Sequence, residues 1–173
     1  ANSGLYFDDP LIRQIVSGTA HYVDKAYSST DVHLLLRWLG VRDQPRLEDV
    51  VDHMLDLTKK GPDPTAESIR ILTTSLDHLK NRTDELARQA TLLNLLKVSK
   101  WVPVEFKDWD IEANPATTRQ EWCVPSAVCF FDTVLGETNG RKLLFSDGEQ
   151  IEYRALLELL GVKPKPDVSD VIK

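Results

Sequence analysis

The sequence predicts an α+β fold that is mostly helical, with a small, mainly antiparallel β-element in its second half. Two observations lead to this prediction. Up to Val98, apolar residues recur at three- and four-residue spacings, which is typical of amphipathic helices. From Trp101 onward, short segments rich in β-branched and aromatic residues alternate with prolines and turn residues, which favours strands. We therefore expect helices first, then the β-element, then one more helix.

The helical half divides at its glycine, proline and capping residues. Gly40 and Gly61-Pro62 are expected to stop helices, and Asp63-Pro64 has the pattern of an N-cap followed by a proline in the first turn. The predicted helices span Pro10–Tyr27, a segment that starts within Ser28–Asp31 and ends at Gly40, Pro45 to Lys59 or Lys60, Pro64–Asn81, and Thr83–Val98.

The second half is expected to contain short strands joined by turns. Pro103 cannot donate to a sheet ladder, so Trp101–Phe106 is interpreted as an edge strand. Ser146 and Glu149 have the spacing of a capping box, which introduces the helix that ends at Gly161. The other predicted segments are an exposed loop at Lys107–Gln120, strand-like segments on either side of Pro125 within Glu121–Thr133, a turn at Thr138–Gly140 and a strand at Lys142–Phe145.

A duplicated stretch predicts how the chain is organised. Leu34–Val51 and Ala155–Ile172 align without a gap, and Gly161 follows Gly40 by 121 residues. Glycine suits the left-handed residue that ends a helix, the next apolar residue packs over the last turn, and proline suits the first turn of a new helix. The shared motif consists of Leu39, Gly40, Val41 and Pro45 in the first copy and Leu160, Gly161, Val162 and Pro166 in the second.

Self-similarity at so long a period indicates repeated units that are each the size of a domain. We expect residues 1–40 to be the C-terminal part of one unit, residues 41–160 to be a complete unit, and residues 161–173 to start a following one. The chain also opens without an initiator methionine, so it is interpreted as a fragment of a longer repeat array.

Composition argues against two classes of partner. The net charge is −6, whereas binding to nucleic-acid backbone or to an anionic membrane surface requires a basic face. No apolar run approaches the roughly 20 residues of a membrane span. Cys123 and Cys129 match neither a CxxC pair nor a zinc knuckle, and two buried thiols are typical of a reducing compartment. We expect an intracellular protein of the cytoplasm or nucleus, with no nucleic-acid or membrane partner.

The sequence contains no recognisable catalytic motif. It has no glycine-rich nucleotide loop, and Ser126 lacks the flanking glycines of a hydrolase nucleophile. The four histidines lack metal-ligand spacing and are interpreted as solvated or helix-flanking residues; they are His21, His33, His53 and His78. Acidic residues between Glu48 and Asp56 are read as one solvated helix face. We therefore expect no catalytic, cofactor-binding or metal-binding residue, and no enzyme activity.

One polar segment is a candidate for binding a protein partner. Trp109 lies between Asp108 and Asp110 in the predicted exposed loop, and aromatic residues dominate interface hot spots. The candidate partner-binding residues are Phe106, Asp108, Trp109 and Asp110. The alternative is that Trp109 folds back to cover the sheet.

The second half resembles a known family. The segments LLKVSKWVPVE, CVPSAVCFFD, KLLF and ALLELLGVKPKPDVSDVI, in that order, are similar to a recurring region of the very large sacsin-like proteins, the plant NO VEIN-type proteins and related fungal proteins. The resemblance covers most of Leu92–Ile172 and recurs at Leu34–Val51. These families carry a GHKL-type ATPase module elsewhere, and none of its nucleotide-binding glycine motifs is present here. The resemblance implies a non-catalytic repeat region with a scaffolding or chaperone-like role.

Three hypotheses for function follow. The first is a non-catalytic protein-interaction or scaffold module of a large multidomain protein. The second is a chaperone-type segment that binds client proteins and works with an ATPase domain outside this chain. The third is an enzyme whose site is assembled from carboxylates such as those between Glu48 and Asp56; two carboxylates with widely separated pKa values would support it.

Overall fold

The protein has the α+β fold that the sequence predicts, mostly helical and with a small antiparallel sheet in its second half. A computed structural model describes residues 4–16, 20–24, 27, 29–108, 117–130 and 141–165. The helices are α1 (Pro10–Ile15), α2 (Thr30–Trp38), α3 (Leu47–Lys59), α4 (Ala66–Lys80), α5 (Thr83–Arg88), α6 (Ala90–Val98) and α7 (Asp147–Leu159). The strands are β1 (Leu5–Phe7), β2 (His21–Val23), β3 (Val102–Asp108), β4 (Thr117–Cys123) and β5 (Arg141–Leu143), and a 3₁₀ turn spans Pro125–Ala127.

The helices α3 to α6 and the strands β3 and β4 form what we call the helix–sheet body. Its helices bury their apolar stripes, including Leu47 and Met54 of α3 and Leu76 of α4. Trp101 is fully buried at the entrance to β3, and its indole N–H donates to the Leu96 carbonyl at 2.7 Å. Burying the indole with its polar atom paired avoids the cost of an orphaned donor. Trp122 of β4 is also buried.

The three-stranded sheet has the order β4-β3-β5, and both pairings are antiparallel. The central position of β3 contradicts the edge position predicted from Pro103. The Pro103 carbonyl accepts from the Leu144 N–H at 3.0 Å, and the registered pairs between β3 and β5 begin only at Val104. The backbone N–H that Pro103 lacks would therefore lie beyond the last registered pair between β3 and β5. For this reason the central strand tolerates a proline at this position.

The strands β3 and β4 also extend into the segment that was predicted to be a loop. Asp108 pairs with Thr117, so Lys107–Asp108 and Thr117–Gln120 belong to a hairpin. On the other side of Pro125, the segment Val128–Phe130 makes a single bridge, between Cys129 and Lys163, instead of a strand. The predicted turn at Thr138–Gly140 and the end of the strand predicted within Glu121–Thr133 lie outside the described residues.

The largest error of the sequence analysis lies in the first 30 residues. The helix predicted over Pro10–Tyr27 ends at Ile15, and β2 then runs parallel to β1. Tyr22 and Val23 fit the apolar spacing of a helix, but they are also strand formers, and pairing with β1 decides between the two.

Helix boundaries account for the remaining differences. The structure begins α3 at Leu47 and α4 at Ala66, two residues later than the predicted proline starts in both cases. For α4 the cap is Thr65, whose side chain and that of Ser68 form a reciprocal capping box. The helix predicted over Thr83–Val98 breaks at Gln89, whose φ of −95° and ψ of 73° are not helical. The capping box of Ser146 and Glu149 at the start of α7 is confirmed.

Candidate interaction surface

The helix α2 ends in a Schellman motif. The Gly40 N–H donates to the Arg37 carbonyl at 3.0 Å, and the Val41 N–H donates to the Leu36 carbonyl at 2.9 Å. Gly40 has a φ of 95°, a left-handed backbone conformation that is strained for any residue with a side chain. Val41 is buried behind the stop. These contacts pair the last carbonyls of the helix and redirect the chain toward α3.

The helix α7 ends with the same set of bonds, 121 residues later. The Gly161 N–H donates to the Glu158 carbonyl at 3.0 Å, and the Val162 N–H donates to the Leu157 carbonyl at 2.9 Å. Gly161 has a φ of 104°. Val162 is buried in the same way as Val41. The two glycines therefore end like elements with like geometry.

The equivalence extends past the glycines to a short segment that lies upstream of each helix. After the first stop, the Arg42 N–H donates to the Leu5 carbonyl at 3.0 Å and the Phe7 N–H donates to the Arg42 carbonyl at 3.1 Å. After the second stop, Lys163 exchanges the same two bonds with the segment Val128–Phe130, at 3.0 and 3.1 Å. Each bridge is parallel.

A side-chain contact repeats as well. The His33 ring of α2 meets the Phe7 ring edge-on, with 3.8 Å between centroids. At the position 121 residues further on, the Arg154 guanidinium lies over the Phe130 ring, 5.1 Å from its centroid. Both contacts place a flat nitrogen-bearing group from the helix against a phenylalanine of the upstream segment. Sequence analysis missed this part of the duplication, because the spacing between segment and helix differs by two residues between the copies.

The two helices differ in what covers them. Leu156 and Leu160 of α7 are 2% and 0% exposed. The equivalent residues of α2, Leu35 and Leu39, are 53% and 61% exposed. Trp38, also on α2, is 83% exposed, and no described residue of α2 is buried. The residues that make up this exposed surface, which we call the α2 face, are Leu34, Leu35, Trp38 and Leu39.

The helix α7 is covered mainly by α4 of the body. The Tyr153 hydroxyl donates to the Asp77 carboxylate at 2.7 Å, and the Lys80 ammonium pairs with Glu152 at 2.6 Å. At the glycine stop, side-chain atoms of Lys97 and Pro125 lie 3.8 Å from where a Cβ of Gly161 would be. Packing of this kind stabilises by roughly 1.5–3 kcal/mol for each large apolar side chain that it buries. The α2 face lacks this stabilisation.

The link from α2 to α3 is held by charged groups that are already paired. Arg37 pairs with Asp43 at 2.7 Å, and the Arg82 guanidinium donates to the Pro45 carbonyl at 2.6 Å. Pro45 itself lies before the N-cap of α3, not in its first turn as the motif predicted. A cavity of about 730 Å³ lies beside this link, with Arg42 and Glu48 among its lining residues. Arg37 and Arg82, which also line this cavity, hold the loop between α2 and α3 through these bonds.

Asp49 is the most enclosed carboxylate of α3, and it forms a structural pair. The Arg46 guanidinium contacts both of its oxygens, at 2.6 and 2.9 Å, and the buried Tyr6 hydroxyl donates to it as well. Burial alone would raise the pKa of Asp49, but these donors outweigh it and lower the pKa below the usual value of 3.8. The interaction with Asp49 in turn raises the pKa of Arg46. Asp49 is thus ionised and engaged in a structural pair with Arg46 and Tyr6.

Other candidate reactive groups are buried or inert. Burial raises the pKa of the Cys123 thiol to about 11, so it stays protonated and weakly nucleophilic at neutral pH. Cys129 is half-buried, not buried as expected. His53 was expected to be a solvated or helix-flanking residue, but it lies on the inner side of α3 and is 7% exposed. Within the ranges that the structure describes, no three metal-ligating side chains come together, and no helix is both long and apolar enough to cross a membrane.

The loop predicted to bind a partner falls only partly within the described structure. Phe106 and Asp108 lie in β3, with their backbones paired to Arg119 and Thr117 of β4. Trp109 and Asp110 lie outside the described residues, as does Pro166 of the duplicated motif. The role of this loop stays a prediction.

The α2 face was the part of the surface that sequence analysis missed. Its leucines and tryptophan have the spacing of an ordinary buried stripe, so the pattern alone indicates core. A signal was nevertheless available, because the buried stripe of α7 occupies the same repeat positions downstream of a complete set of helices. Within residues 1–173 this set, α3 to α6, lies between α2 and α7, so it precedes only α7.

Comparison with known proteins adds no identification. No protein-family model, no curated protein and no solved structure matches this chain.

Proposed function

We propose that this chain is a non-catalytic protein-interaction and scaffold module of a large multidomain protein, related to the repeat regions of sacsin-like proteins. The observation that carries the proposal is the α2 face, where large apolar side chains stay exposed on a helix whose structural equivalent is buried. The proposal includes an intracellular location, in the cytoplasm or nucleus, which a buried Cys123 thiol fits. Its partners are proteins.

The chemistry of the α2 face supports recognition of a protein. Leu34, Leu35, Trp38 and Leu39 follow the three- and four-residue spacing by which a helix presents anchors to a groove. Tryptophan is enriched among the residues that dominate binding energy, and Trp38 is the most exposed member of this stripe. Contiguous exposed apolar side chains on a water-exposed helix mark an interaction site more often than a neutral surface.

The state of the polar groups supports a role without catalysis. Asp49 is held by Arg46 and Tyr6, and Asp56 pairs with Lys59 at 2.8 Å. The pKa of Asp49 is lowered by these donors, whereas a general acid requires a raised one.

A capture experiment tests the proposal. The purified chain and a Leu35→Glu variant serve as baits in a lysate, with Ile151→Glu as the matched control. Ile151 is 78% exposed on α7, so its substitution adds the same charge at an exposed apolar position away from the α2 face. We expect specific protein partners to be lost with Leu35→Glu and retained with Ile151→Glu. Equal recovery with both variants would contradict the proposal.

The same experiment addresses the loop that contains Trp109. If the loop contributes to binding, Trp109→Ala lowers partner recovery. Recovery that stays unchanged with Trp109→Ala while it falls with Leu35→Glu assigns binding to α2 instead.

Binding of unfolded clients is the second candidate function, because exposed leucines also attract apolar segments of unfolded chains. The two functions differ in the state of the partner. Suppression of aggregation of a heat-denatured protein by the wild-type chain, abolished by Leu35→Glu, would favour client binding. Absence of suppression together with capture of folded partners favours the scaffold module.

A further inference from the structure

The closest guide to what covers the α2 face is the rest of the molecule. Leu35, Leu36 and Leu39 of α2 occupy the repeat positions of Leu156, Leu157 and Leu160 of α7, all of which are buried. On α7 those leucines close the helix–sheet body against α4. Because α2 carries leucines at the positions of α7 and ends at an equivalent glycine, its stripe fits a surface like the one that α7 covers on the helix–sheet body.

The charges beside the stripe match as well. Glu152 of α7 pairs with Lys80 of α4 at 2.6 Å. The equivalent residue of α2 is Asp31, a second carboxylate, and it is exposed. In a body with a lysine at the position of Lys80, that lysine would form an ion pair with Asp31, as Lys80 does with Glu152. Complementary charge at this point would fix the register of the helix on the body.

A short strand precedes each helix, but the two strands have different partners. β5 lies between Phe130 and α7, and it pairs with β3 of the body. β2 lies between Phe7 and α2, and it pairs only with β1 among the described residues. Among the described residues no second strand pairs with the outer edge of β2, and such an edge can accept a further strand.

The body within this chain cannot be the occupant, because α7 already covers the surface that would meet α2. The body of a second copy is excluded for the same reason, because its own α7 covers it. The occupant has to be another helix–sheet body, which α2 covers in the way that α7 covers the body in this chain. In this chain the order is body, then Val128–Phe130, then α7; the same order places the missing body ahead of Leu5.

We propose that the α2 face docks a second helix–sheet body of the kind formed by α3–α6 with β3 and β4, located upstream of Leu5 in the same polypeptide. The inference rests on the proposed scaffold function: in the isolated chain the α2 face is open to other proteins, and in a longer polypeptide its occupant is the preceding body. Each helix of the α2 and α7 type then closes the body that precedes it, and its glycine stop leads directly into the next body. Successive modules share a continuous core.

An extended chain tests this inference. A second copy of residues 41–127 is joined directly to Leu5, the position equivalent to Val128. Leu39→Cys is introduced into α2, and its rate of maleimide labelling is measured by peptide mass spectrometry with and without the added body. We expect labelling at this position to slow at least tenfold when the body is present.

Two controls come from the chain itself. Thr30→Cys on α2 is equivalent to Ile151, which stays exposed on α7, so its labelling should change less than twofold. The natural Cys123 of the added copy reports whether that body folds, because it is 6% exposed when the body is intact. Introducing Leu35→Glu into the extended chain should restore fast labelling of both Leu39→Cys and the added Cys123.

Each other outcome overturns the inference. If the labelling rate of Leu39→Cys is unchanged while the added Cys123 is protected, the added body folds without α2. Fast labelling of the added Cys123 means that α2 does not close that body. If labelling of Leu39→Cys in the unextended chain slows as the protein concentration rises, a second copy of the chain covers the α2 face. All three leave the capture experiment untouched, so failure here is distinguishable from failure of the scaffold function.

Discussion

The helices α2 and α7 have the same ending but different surroundings. Both stop at a left-handed glycine, both bury the following valine, and both bridge to a short upstream segment. Yet Leu160 is fully buried while Leu39 is 61% exposed. The comparison separates two contributions that usually occur together in one helix. The backbone geometry of the stop forms from local hydrogen bonds, whereas the burial of the stripe depends on a body packed against it.

The matched leucines give the largest expected effect. Leu160→Ala removes buried methyl groups and leaves a cavity, so we expect it to lower the free energy of unfolding by about 2–5 kcal/mol. Leu39→Ala removes an exposed side chain and should change the free energy of unfolding by less than about 0.5 kcal/mol. Urea unfolding followed by circular dichroism measures both. Similar losses would mean that α2 packs within this chain as α7 does, and the comparison would fail.

The glycines give the next largest effect and test the shared geometry. Gly161→Ala forces a side chain into the left-handed region and should cost about 1–2 kcal/mol, since the surrounding atoms lie at ordinary contact distance. Gly40→Ala has the same backbone strain with nothing within 4 Å, but α2 is coupled less tightly to the core.

For Gly40→Ala we therefore expect faster hydrogen exchange at the Val41 amide, with little change in global unfolding. A global loss equal to that of Gly161→Ala would show that both helices belong to one cooperative unit.

The hydroxyl of Tyr153 gives a smaller effect that is specific to α7. It donates to Asp77 at 2.7 Å, and burial together with this hydrogen bond raises the pKa of Tyr153 above 10. Tyr153→Phe should lower the free energy of unfolding by about 1 kcal/mol. The equivalent residue of α2 is Val32, which has no such group. A double-mutant cycle with Asp77→Ala checks the assignment; a coupling energy near zero would place the loss elsewhere.

The smallest effect is a pH dependence that arises in the body. Burial, with the nearby charge of Lys60, lowers the pKa of His53 below 6.5. As the pH falls through about 6.5, the unfolded chain takes up a proton that the folded chain resists, so stability decreases toward acid. His53→Leu should make the free energy of unfolding less dependent on pH between 7 and 5.5.

His78 adds a dependence of the same sign, because burial and the charge of Arg82 lower its pKa too. The flattening by His53→Leu is therefore expected to be partial. Urea titrations at both pH values measure it, and a slope identical to that of the wild type would contradict the role of His53.

The places where sequence analysis failed have one physical cause. Tyr22 and Val23 fit a helix by spacing, but pairing with β1 makes them a strand. Pro103 indicated an edge, but the central position is tolerated because β5 ends at Leu143, short of the proline's missing donor. His53 reads as a flank histidine, but the packing of α3 buries it. In each case the deciding neighbour is distant in sequence.

The sequence by itself determined the α+β class, the capping box at Ser146 and the two glycine stops. These features depend on contacts within about six residues, so local residue types specify them. Only the tertiary structure decided that β3 is central and that α7 is buried while α2 is exposed. An apolar stripe carries the same pattern whether or not a partner covers it, because hydrophobic burial is non-directional and depends on which surface arrives.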